Sequence, residues 1–375
     1  MVSKALVVGA YQRKLEELAR LPSVRLTAVV PPFWREGSGP VPLERAHTQG
    51  YTLVQSPAAL NGRFHLHYYP ELPRLLAEHR PDLLHMDEEP YNFATWHALR
   101  EAERAGVRAI FFSWQNLPRA YPMPFRFFER ANYRRAAYAI AGNQDAADVL
   151  RAKGYRGPLA VIPQFGIDPE LFCPGSEPAR DGILRIGYSG RLVPEKGIDV
   201  LLRACALLPA GRWRLELVGD GAARPQFEAQ AQALGISDRV AFAGRVPSTR
   251  TPEAYRGFDV LVLPSVSRPN WVEQFGRVLV EAMACGTPVI GSDSGEIPRV
   301  IGDAGLVFPE GDAGALAAAL TLLMDDPARR RALAARGRER ALQHFTQSCI
   351  AAETYRVYAA VLGQQPAAVA RAAVL

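Results

Sequence analysis

Apolar stretches of strand length alternate with amphipathic stretches of helix length along most of the sequence, and this alternation is the strongest constraint on the fold. In the first half it predicts strands at residues 4–8, 26–30, 51–54, 82–85, 109–113, 140–141 and 160–162. Helices are predicted among them at residues 14–20, 72–78, 95–105, 126–139 and 144–153. Repeated β-α units with apolar strands are typical of a parallel sheet that helices cover on both faces.

A second series of β-α units fills the other half. Its predicted strands lie at residues 184–189, 214–218, 240–242, 260–263, 289–291 and 305–308. Its predicted helices lie at residues 197–208, 225–234, 252–258, 276–285, 313–324 and 327–343. Pro and Gly are frequent in residues 165–181, which predicts a linker between the two series. We expect residues 34–63 to form a long loop with one short strand, and the tail beyond Gly363 to be frayed.

The length of 375 residues is more than one ordinary domain needs. We therefore predict an α/β protein of two doubly wound, Rossmann-like domains, residues 1–168 and 183–345. A last helix, at about 348–362, is expected to pack back on the first domain. Ligands of open α/β sheets bind outside the carboxyl ends of the strands. The two domains are expected to face each other across a cleft at those ends.

The composition permits several kinds of partner. The net charge is +6, which allows binding of phosphates, nucleic acid or anionic lipid and selects none of them. Cys173, Cys205, Cys285 and Cys349 show no C-x-x-C spacing, so we expect reduced thiols rather than disulfides or a zinc site. No signal-peptide layout and no apolar run of about 20 residues is present. We expect a cytoplasmic protein, at most attached peripherally to the inner face of a membrane.

Two carboxylates flank a helix start in the second half. Glu273 precedes a Phe-Gly pair, and Glu281 follows in an apolar-periodic segment that predicts a helix beginning near Phe275 or Gly276. A helix N-terminus favours a phosphate, and a carboxylate accepts hydrogen bonds from a vicinal diol. Glu281 would then lie roughly 7–8 Å along the axis, about the distance from a phosphate to its ribose. Alternatively, Arg277 and Glu281 form a surface pair and Glu273 is solvated.

The loop after the first strand of this half carries two cations. Gly190 and Gly197 bound the loop, and Arg191 and Lys196 lie within it, where they could neutralise a diphosphate. The order G-x-x-x-x-G-K-[ST] of a Walker A loop is absent. A surface turn with an ion pair between Glu195 and Lys196 is the alternative.

Two more strand ends carry ligand-type residues. Val218 is followed by Gly219, Asp220 and Gly221, and Leu263 is followed by Pro and Ser265. Glycines at a strand end let a ligand approach the backbone closely, although a plain turn explains them equally well. Three strand ends of one sheet with phosphate- or hydroxyl-binding residues indicate a shared site more strongly than any one of them.

The ordered set of these motifs over residues 160–310 resembles glycosyltransferase family 4. The resemblance implies a GT-B fold and a retaining transferase that uses a nucleotide sugar without an essential metal or cofactor. It implies that Arg191 and Lys196 bind the donor diphosphate, that Glu281 binds the ribose and that Glu273 binds the transferred sugar, with Arg191, Lys196 and Glu273 as the catalytic set. It implies that the donor site also includes Gly190, Gly219, Asp220, Arg245, Val246, Ser265, Phe275 and Gly276.

The first half resembles that family less. A second glycine after the first strand is common in the family, whereas Gly9 is followed here by Ala10. Gln115 occupies the position where many members have a histidine, and it cannot shuttle a proton. The residues expected on the acceptor side are Gly9, His85, Glu88, Gln115 and Asn116. For His85, a packed position near the domain interface remains an equal alternative.

The segment from Arg119 to Arg135 mixes arginines with aromatic residues. It could rest on anionic lipid and meet a lipid-linked acceptor. A core helix with its arginines on a solvated face is the alternative, and no nucleic-acid-binding motif accompanies the segment.

We predict a transferase that moves a sugar from a nucleoside-diphosphate sugar to a hydroxyl acceptor, which could be a glycan, a lipid-linked sugar or a small molecule. Two alternatives stay open: a nucleotide-sugar epimerase of the same fold, and a non-catalytic sugar-nucleotide-binding protein.

Overall fold

A computed structural model describes residues 1–37, 39–175, 182–247 and 250–365. The chain forms two compact units. Met1–Gly166 and the segment that begins at Gln347 make the first unit, and Ile167–Thr346 makes the second. Part of the predicted linker, residues 176–181, and the tail from residue 366 lie outside the described residues.

The described strands and helices alternate through both units. The strands are β1 Thr27–Val30, β2 Phe33–Glu36, β3 Gly39–Pro42, β4 Thr52–Gln55, β5 Leu83–Met86, β6 Arg108–Ser113, β7 Tyr138–Ala141, β8 Leu159–Val161, β9 Leu184–Ser189, β10 Trp213–Val218, β11 Val240–Gly244, β12 Val260–Leu263, β13 Val289–Ser292 and β14 Leu306–Phe308. The α-helices are α1 Arg13–Ala19, α2 Leu72–His79, α3 Phe93–Arg104, α4 Phe125–Arg135, α5 Gln144–Ala152, α6 Ile198–Ala206, α7 Arg224–Ala233, α8 Thr251–Gly257, α9 Arg277–Ala284, α10 Ile297–Ile301, α11 Ala313–Asp325, α12 Pro327–His344 and α13 Gln347–Leu362.

The sheet of the first unit is parallel. β5, β6, β7 and β8 are neighbours in that order, and β1 pairs with β4. Val2 links these two parts, because it bridges to Val29 in β1 and to Met86 in β5. β2 and β3 form a separate antiparallel hairpin.

The C-terminal helix α13 belongs to the first unit. It packs against α1, and its buried Ile350, Val357 and Val361 lie in one apolar cluster with Ile110 and Phe112 of β6. The helix α13 thus covers the parallel sheet of the first unit.

The second unit has the strand order β11-β10-β9-β12-β13-β14, and all its strands are parallel. The chain order therefore reverses between β9 and β12. In doubly wound sheets, the crevice at such a reversal is where ligands bind. The loops that follow β9 and β12 consequently define the place to search for a site.

Four predictions of local structure were wrong. Residues 4–8 form no strand, because Val2 makes the sheet contacts while Ala5–Val7 turn into a 3-10 helix that buries Leu6 and Val7. A short apolar run does not distinguish a buried helical turn from a strand by periodicity alone. The sequence predicts a loop where β2 and β3 form a hairpin, because two of the four residues of β3 are prolines.

The third wrong prediction extended the helix at 126–139 four residues too far. Ala136 is already extended, and β7 follows at Tyr138. The fourth error was an omission, the short helix α10. Within the described residues, no helix combines the length and the apolar character needed to cross a bilayer.

Candidate functional site

The candidate site of the second unit lies where β9 and β12 end side by side. Val260 and Leu261 of β12 are in register with Ile186 and Gly187 of β9, so the loops after these strands emerge next to each other. One loop carries Gly190, Arg191 and Lys196. The other carries Ser265 and Glu273 and leads into α9.

Lys196 and Glu273 meet in this place. The Lys196 Nζ donates to Glu273 Oε2 at 2.6 Å, and Ser265 Oγ donates to the same oxygen at 2.8 Å. The Trp271 ring lies 4.9 Å from the Lys196 ammonium, a cation–π contact. Glu273 is only 8% exposed. The solvated Glu273 and the Glu195–Lys196 pair considered as alternatives are therefore wrong.

Glu281 is held from two sides. Tyr255 Oη donates to Glu281 Oε2 at 2.7 Å, and Arg277 Nε donates to Oε1 at 2.7 Å. The Arg277 pair considered from the sequence does form, but the Glu281 residue is 6% exposed rather than a surface residue. Burial raises the pKa of Tyr255 well above its ordinary value, so its hydroxyl stays protonated and can donate.

The helix α9 starts at Arg277, one or two residues later than predicted. Gly276 is its N-cap residue with φ +76°, a left-handed conformation that glycine adopts without strain. Glu281 therefore lies four residues past the first helical residue, about 6 Å along the axis. The spacing from helix start to carboxylate is slightly shorter than the sequence indicated.

Two close backbone contacts fix the loops to each other. A Cβ on Gly219 would lie 1.9 Å from the Gly190 carbonyl oxygen, and one on Gly197 would lie 1.9 Å from the Pro264 carbonyl oxygen. Only glycine permits these approaches. They join the strand ends of β9, β10 and β12 into one compact edge.

The remaining residues of the predicted donor site have various surroundings. The Arg191 side chain is exposed, and its carbonyl accepts from Tyr188 Oη at 2.8 Å. Asp220 Oδ1 accepts from the Gly221 N–H at 2.8 Å. Phe275 packs edge-on against Phe345 at 5.7 Å between ring centroids.

Arg245 and Val246 follow β11, two strands away from β9. Arg245 is exposed and Val246 packs on the core. Of the residues predicted for the donor site, the structure brings Lys196, Ser265 and Glu273 together. Trp271 joins them through its contact with Lys196.

In the first unit, the predicted acceptor residues have internal partners. His85 Nδ1 shares a hydrogen bond with Tyr358 Oη at 2.7 Å, and burial lowers the pKa of His85 well below its ordinary value. These contacts agree with the alternative interpretation of His85 as a packed residue. Gly9 donates its N–H to Glu44 Oε2 at 2.6 Å.

Gln115 and Glu88 are likewise engaged. Gln115 Nε2 donates to the Leu117 carbonyl at 3.0 Å, and its Oε1 accepts from Lys153 Nζ at 3.1 Å. Asn116, next to it, is half-buried. Glu88 pairs with Lys4. Burial alone would raise the pKa of Glu88, but Lys4 and then His67 outweigh burial and lower that pKa to about 2.

Two side chains of the second unit that the sequence did not assign to the site contact residues of it. Tyr255 and Trp271 contact Glu281 and Lys196, as described above. In the first unit, Glu89 follows β5 and forms with His85 and Glu88 the polar strand-end cluster that the sequence indicates. Glu89 accepts from Ser113 Oγ and from the Trp114 N–H, each at 2.7 Å. Trp271 stands beside Glu273 in the sequence, so a signal existed. The contact of Tyr255 with a carboxylate 26 residues away has no sequence signal.

Among the residues that the structure describes, no group of three or more His, Cys, Asp or Glu side chains is placed to hold a metal ion. The contacts described above join cations, carboxylates and hydroxyls at the reversal of a doubly wound sheet. These features define a Rossmann-like α/β protein with a polar strand-end site.

Comparisons with known proteins identify the class further. Residues 175–340 match the family model of glycosyl transferases group 1, and residues 8–164 match that of a glycosyl transferase 4-like domain. The GDP-mannose-dependent alpha-(1-6)-phosphatidylinositol monomannoside mannosyltransferase of Mycolicibacterium smegmatis is 30% identical over 80% of this chain and 82% of its own length. The chain belongs to the family 4-like glycosyltransferases, and its fold is GT-B.

Other relatives match over less of their length. The D-inositol 3-phosphate glycosyltransferase of Thermomonospora curvata is 38% identical over 45% of this chain and 44% of that protein. The chain thus spans about half the length of such relatives. Sucrose-phosphate synthase from Thermosynechococcus elongatus shares the fold, with a TM-score of 0.71 and 24% identity over 94% of this chain and 93% of its own. So does Anabaena HepE, crystallised with UDP, with a TM-score of 0.72 and 20% identity over 96% and 98%.

Proposed function

We propose that the protein is a retaining glycosyltransferase that moves a sugar from a nucleoside-diphosphate sugar to a hydroxyl acceptor. The observation that carries this proposal is the Lys196 ammonium, held between Glu273 and Trp271 at the reversal of the second sheet. An ammonium has three donors, and Glu273 uses one of them, so the others can bind phosphate oxygens.

The chemistry needs positive charge where the leaving diphosphate develops negative charge. Lys196 and the exposed Arg191 supply that charge without a divalent ion, and electrostatic stabilisation of this kind is often the largest catalytic contribution. In this proposal Glu281 binds the ribose and Glu273 accepts hydrogen bonds from hydroxyls of the transferred sugar. Retention follows from the family resemblance, with the leaving diphosphate taking the acceptor proton on the same face.

The relatives guide the choice of donor and acceptor. The Mycolicibacterium smegmatis relative is named for GDP-mannose and a phosphatidylinositol mannoside, whereas HepE was crystallised with UDP. GDP-mannose is therefore the first donor to test, followed by UDP- and ADP-sugars. A carbohydrate or lipid-linked hydroxyl acceptor is the proposed partner class.

One assay separates this function from its alternatives. The protein is incubated with each nucleotide sugar, with and without EDTA, and nucleotide release and sugar isomerisation are measured. Nucleotide release or transfer that survives EDTA supports the proposal. Isomerisation without an acceptor would indicate an epimerase, binding without turnover would indicate a binding protein, and full loss with EDTA would overturn the metal-free mechanism.

The role of Lys196 has its own test. We expect Lys196→Met to lower turnover about 100- to 1,000-fold, the usual cost of removing a group that stabilises transition-state charge. It also leaves Glu273 buried without its cation, which destabilises the fold. The double variant Lys196→Met/Glu273→Gln should recover much of the melting temperature without recovering turnover.

A matched control removes a cation of the same unit that lies outside the site. Arg203 is exposed on α6 and pairs with Asp199 on the same helix at 3.2 Å. Arg203→Ala should leave turnover within about twofold, because an exposed pair contributes little. Unchanged turnover in Lys196→Met, with the control also unchanged, would refute the site.

A further inference from the structure

The helix α4 of the first unit presents a stripe of arginines that the transfer chemistry does not use. Arg126, Arg130 and Arg134 follow one another at four-residue spacing, so they lie along one side of the helix. All three are exposed, whereas Phe128 and Asn132 on the opposite side are buried. The segment thus combines the two interpretations of the sequence, a helix anchored in the core and a continuous basic face.

The charges of this stripe are not neutralised within the described part of the chain. No carboxylate there lies within ion-pair distance of Arg126, Arg130 or Arg134. The nearest acidic residue in the sequence, Glu129, is buried and pairs with Lys153. Like charges at four-residue spacing destabilise an isolated helix by a few tenths of a kcal/mol per pair. An anionic partner would remove this repulsion.

Two large apolar side chains accompany the arginines. Phe127 is 44% exposed, and Met123, just before the helix, is 62% exposed. At 3.6 residues per turn, Phe127 lies beside Arg130 and Arg134 on the solvent side. Exposure of an aromatic ring and a thioether to water is unfavourable. Each side chain could insert into an apolar layer that lies next to negatively charged groups.

We propose that this face of α4 docks on an anionic lipid bilayer, with the three arginines on headgroup phosphates and with Phe127 and Met123 at the level of the upper acyl chains. This combination of a basic face with bulky apolar residues is what holds interfacial helices on membranes. Arginine forks pair bidentately with phosphates. The proposal concerns a surface and does not depend on the donor chemistry.

Co-sedimentation of the full chain with vesicles, in the absence of any nucleotide sugar, tests the proposal. We expect binding to phosphatidylcholine vesicles that contain phosphatidylglycerol, no binding to phosphatidylcholine alone, and a decrease as salt is raised. Arg126→Gln/Arg130→Gln/Arg134→Gln should lower the partition coefficient about 100-fold, because each basic residue near the surface contributes about fivefold. Phe127→Ser should lower it up to about tenfold with an unchanged salt dependence.

The control removes the same charge from another helix. Arg329, Arg331 and Arg336 are exposed on α12 of the second unit, so their triple Gln variant changes the net charge equally. It should bind vesicles nearly as well as the original chain. Circular dichroism of each variant checks that it folds.

Three results would overturn the proposal. They are absence of binding to anionic vesicles, equal losses in the α4 and α12 triple variants, and full vesicle binding by the Phe127→Ser variant. The last result, together with tight binding of a single-stranded oligonucleotide that the α4 variant loses, would indicate a nucleic-acid partner instead. If the protein shows no transfer activity but binds vesicles through α4, the proposed function is refuted and this inference stands.

Discussion

The two units differ in how closely acidic residues follow the end of a strand. In the second unit, Glu273 and Glu281 follow β12, and each is held by cationic or hydroxyl donors. In the first unit, Asp87, Glu88 and Glu89 follow β5 directly. Glu88 pairs with Lys4, and Asp87 Oδ2 accepts from Gln164 Nε2 at 2.9 Å.

Within the first unit, two adjacent carboxyl groups have opposite pKa shifts. Glu88 and Glu89 are neighbours in the chain, yet the pKa of Glu88 is lowered to about 2 and that of Glu89 is raised to about 7. Burial is the largest influence on both carboxyl groups, but only Glu88 has an ammonium close enough to outweigh burial. The pKa of a carboxyl group at a strand end therefore depends on the partners of that group rather than on its place in the topology.

The largest expected effect tests how rigid the second unit's edge is. Gly219→Ala places a Cβ against the Gly190 carbonyl at a residue with φ +132°. Backbone strain and overlap together should lower the free energy of unfolding by about 4 kcal/mol. Thermal or denaturant unfolding measures this change, and donor binding should fall with it.

A second glycine separates strain from overlap. Gly211 also has a positive φ, +78°, but a Cβ there would meet no atom within 4 Å. Gly211→Ala should therefore lower the free energy of unfolding by only about 1–2 kcal/mol, the usual penalty for a non-glycine residue in the left-handed conformation. Equal losses for the two variants would mean that the loops after β9 and β10 can separate freely.

The next effect concerns the first unit and depends on pH. Burial raises the pKa of Glu89 from its ordinary 4.5 to about 7. A raised pKa means that the protonated form contributes stability fully below about pH 4.5 and that this contribution is lost as the pH rises through 7. The loss should amount to about 3 kcal/mol, since each pKa unit corresponds to about 1.4 kcal/mol.

Glu89→Gln isolates that contribution. The amide stays neutral, so the variant should match the original chain at pH 4.5 and should be more stable than it at pH 8. His85, whose pKa burial lowers, destabilises both forms as the pH falls below 6.5 and cancels in the difference. Unfolding at several pH values measures the difference, and a constant value across the range would contradict the raised pKa.

Much of this architecture could be predicted because β-α alternation is a local pattern. The strand at Val260–Leu263 matched the prediction to the residue, since a continuous apolar run between turn residues reports a buried parallel strand. The residues at 4–8 failed because the same apolar pattern also suits a buried helical turn. Val2, which makes the actual sheet contacts, carries no signal of its own.

Some residues of the candidate site are likewise marked by local sequence motifs, whereas others are revealed only by tertiary packing. Lys196 and Glu273 are marked by glycine-bounded motifs, so the sequence indicated both of them, although not their mutual contact. Tyr255 looks like any aromatic residue on an amphipathic helix. Its hydroxyl reaches Glu281 only because α8 and α9 pack together, and a single sequence does not encode that packing visibly.

Tyr255 gives the smallest expected effect and the sharpest comparison between the units. Tyr255→Phe removes a hydrogen bond to the Glu281 carboxyl group, and hydrogen bonds to carboxylates contribute about 1.5–3 kcal/mol. If Glu281 binds the ribose, the variant's KM for the donor should rise about tenfold with little change in kcat. For a donor whose ribose lacks the 2′- or 3′-hydroxyl, the same substitution should raise KM by a smaller factor. Tyr155 in the first unit is also buried and donates to the neutral Pro158 carbonyl at 2.9 Å, so Tyr155→Phe should lower the melting temperature without moving KM. An equal rise in KM for ribose and deoxyribose donors would instead mean that Tyr255 acts on the fold alone.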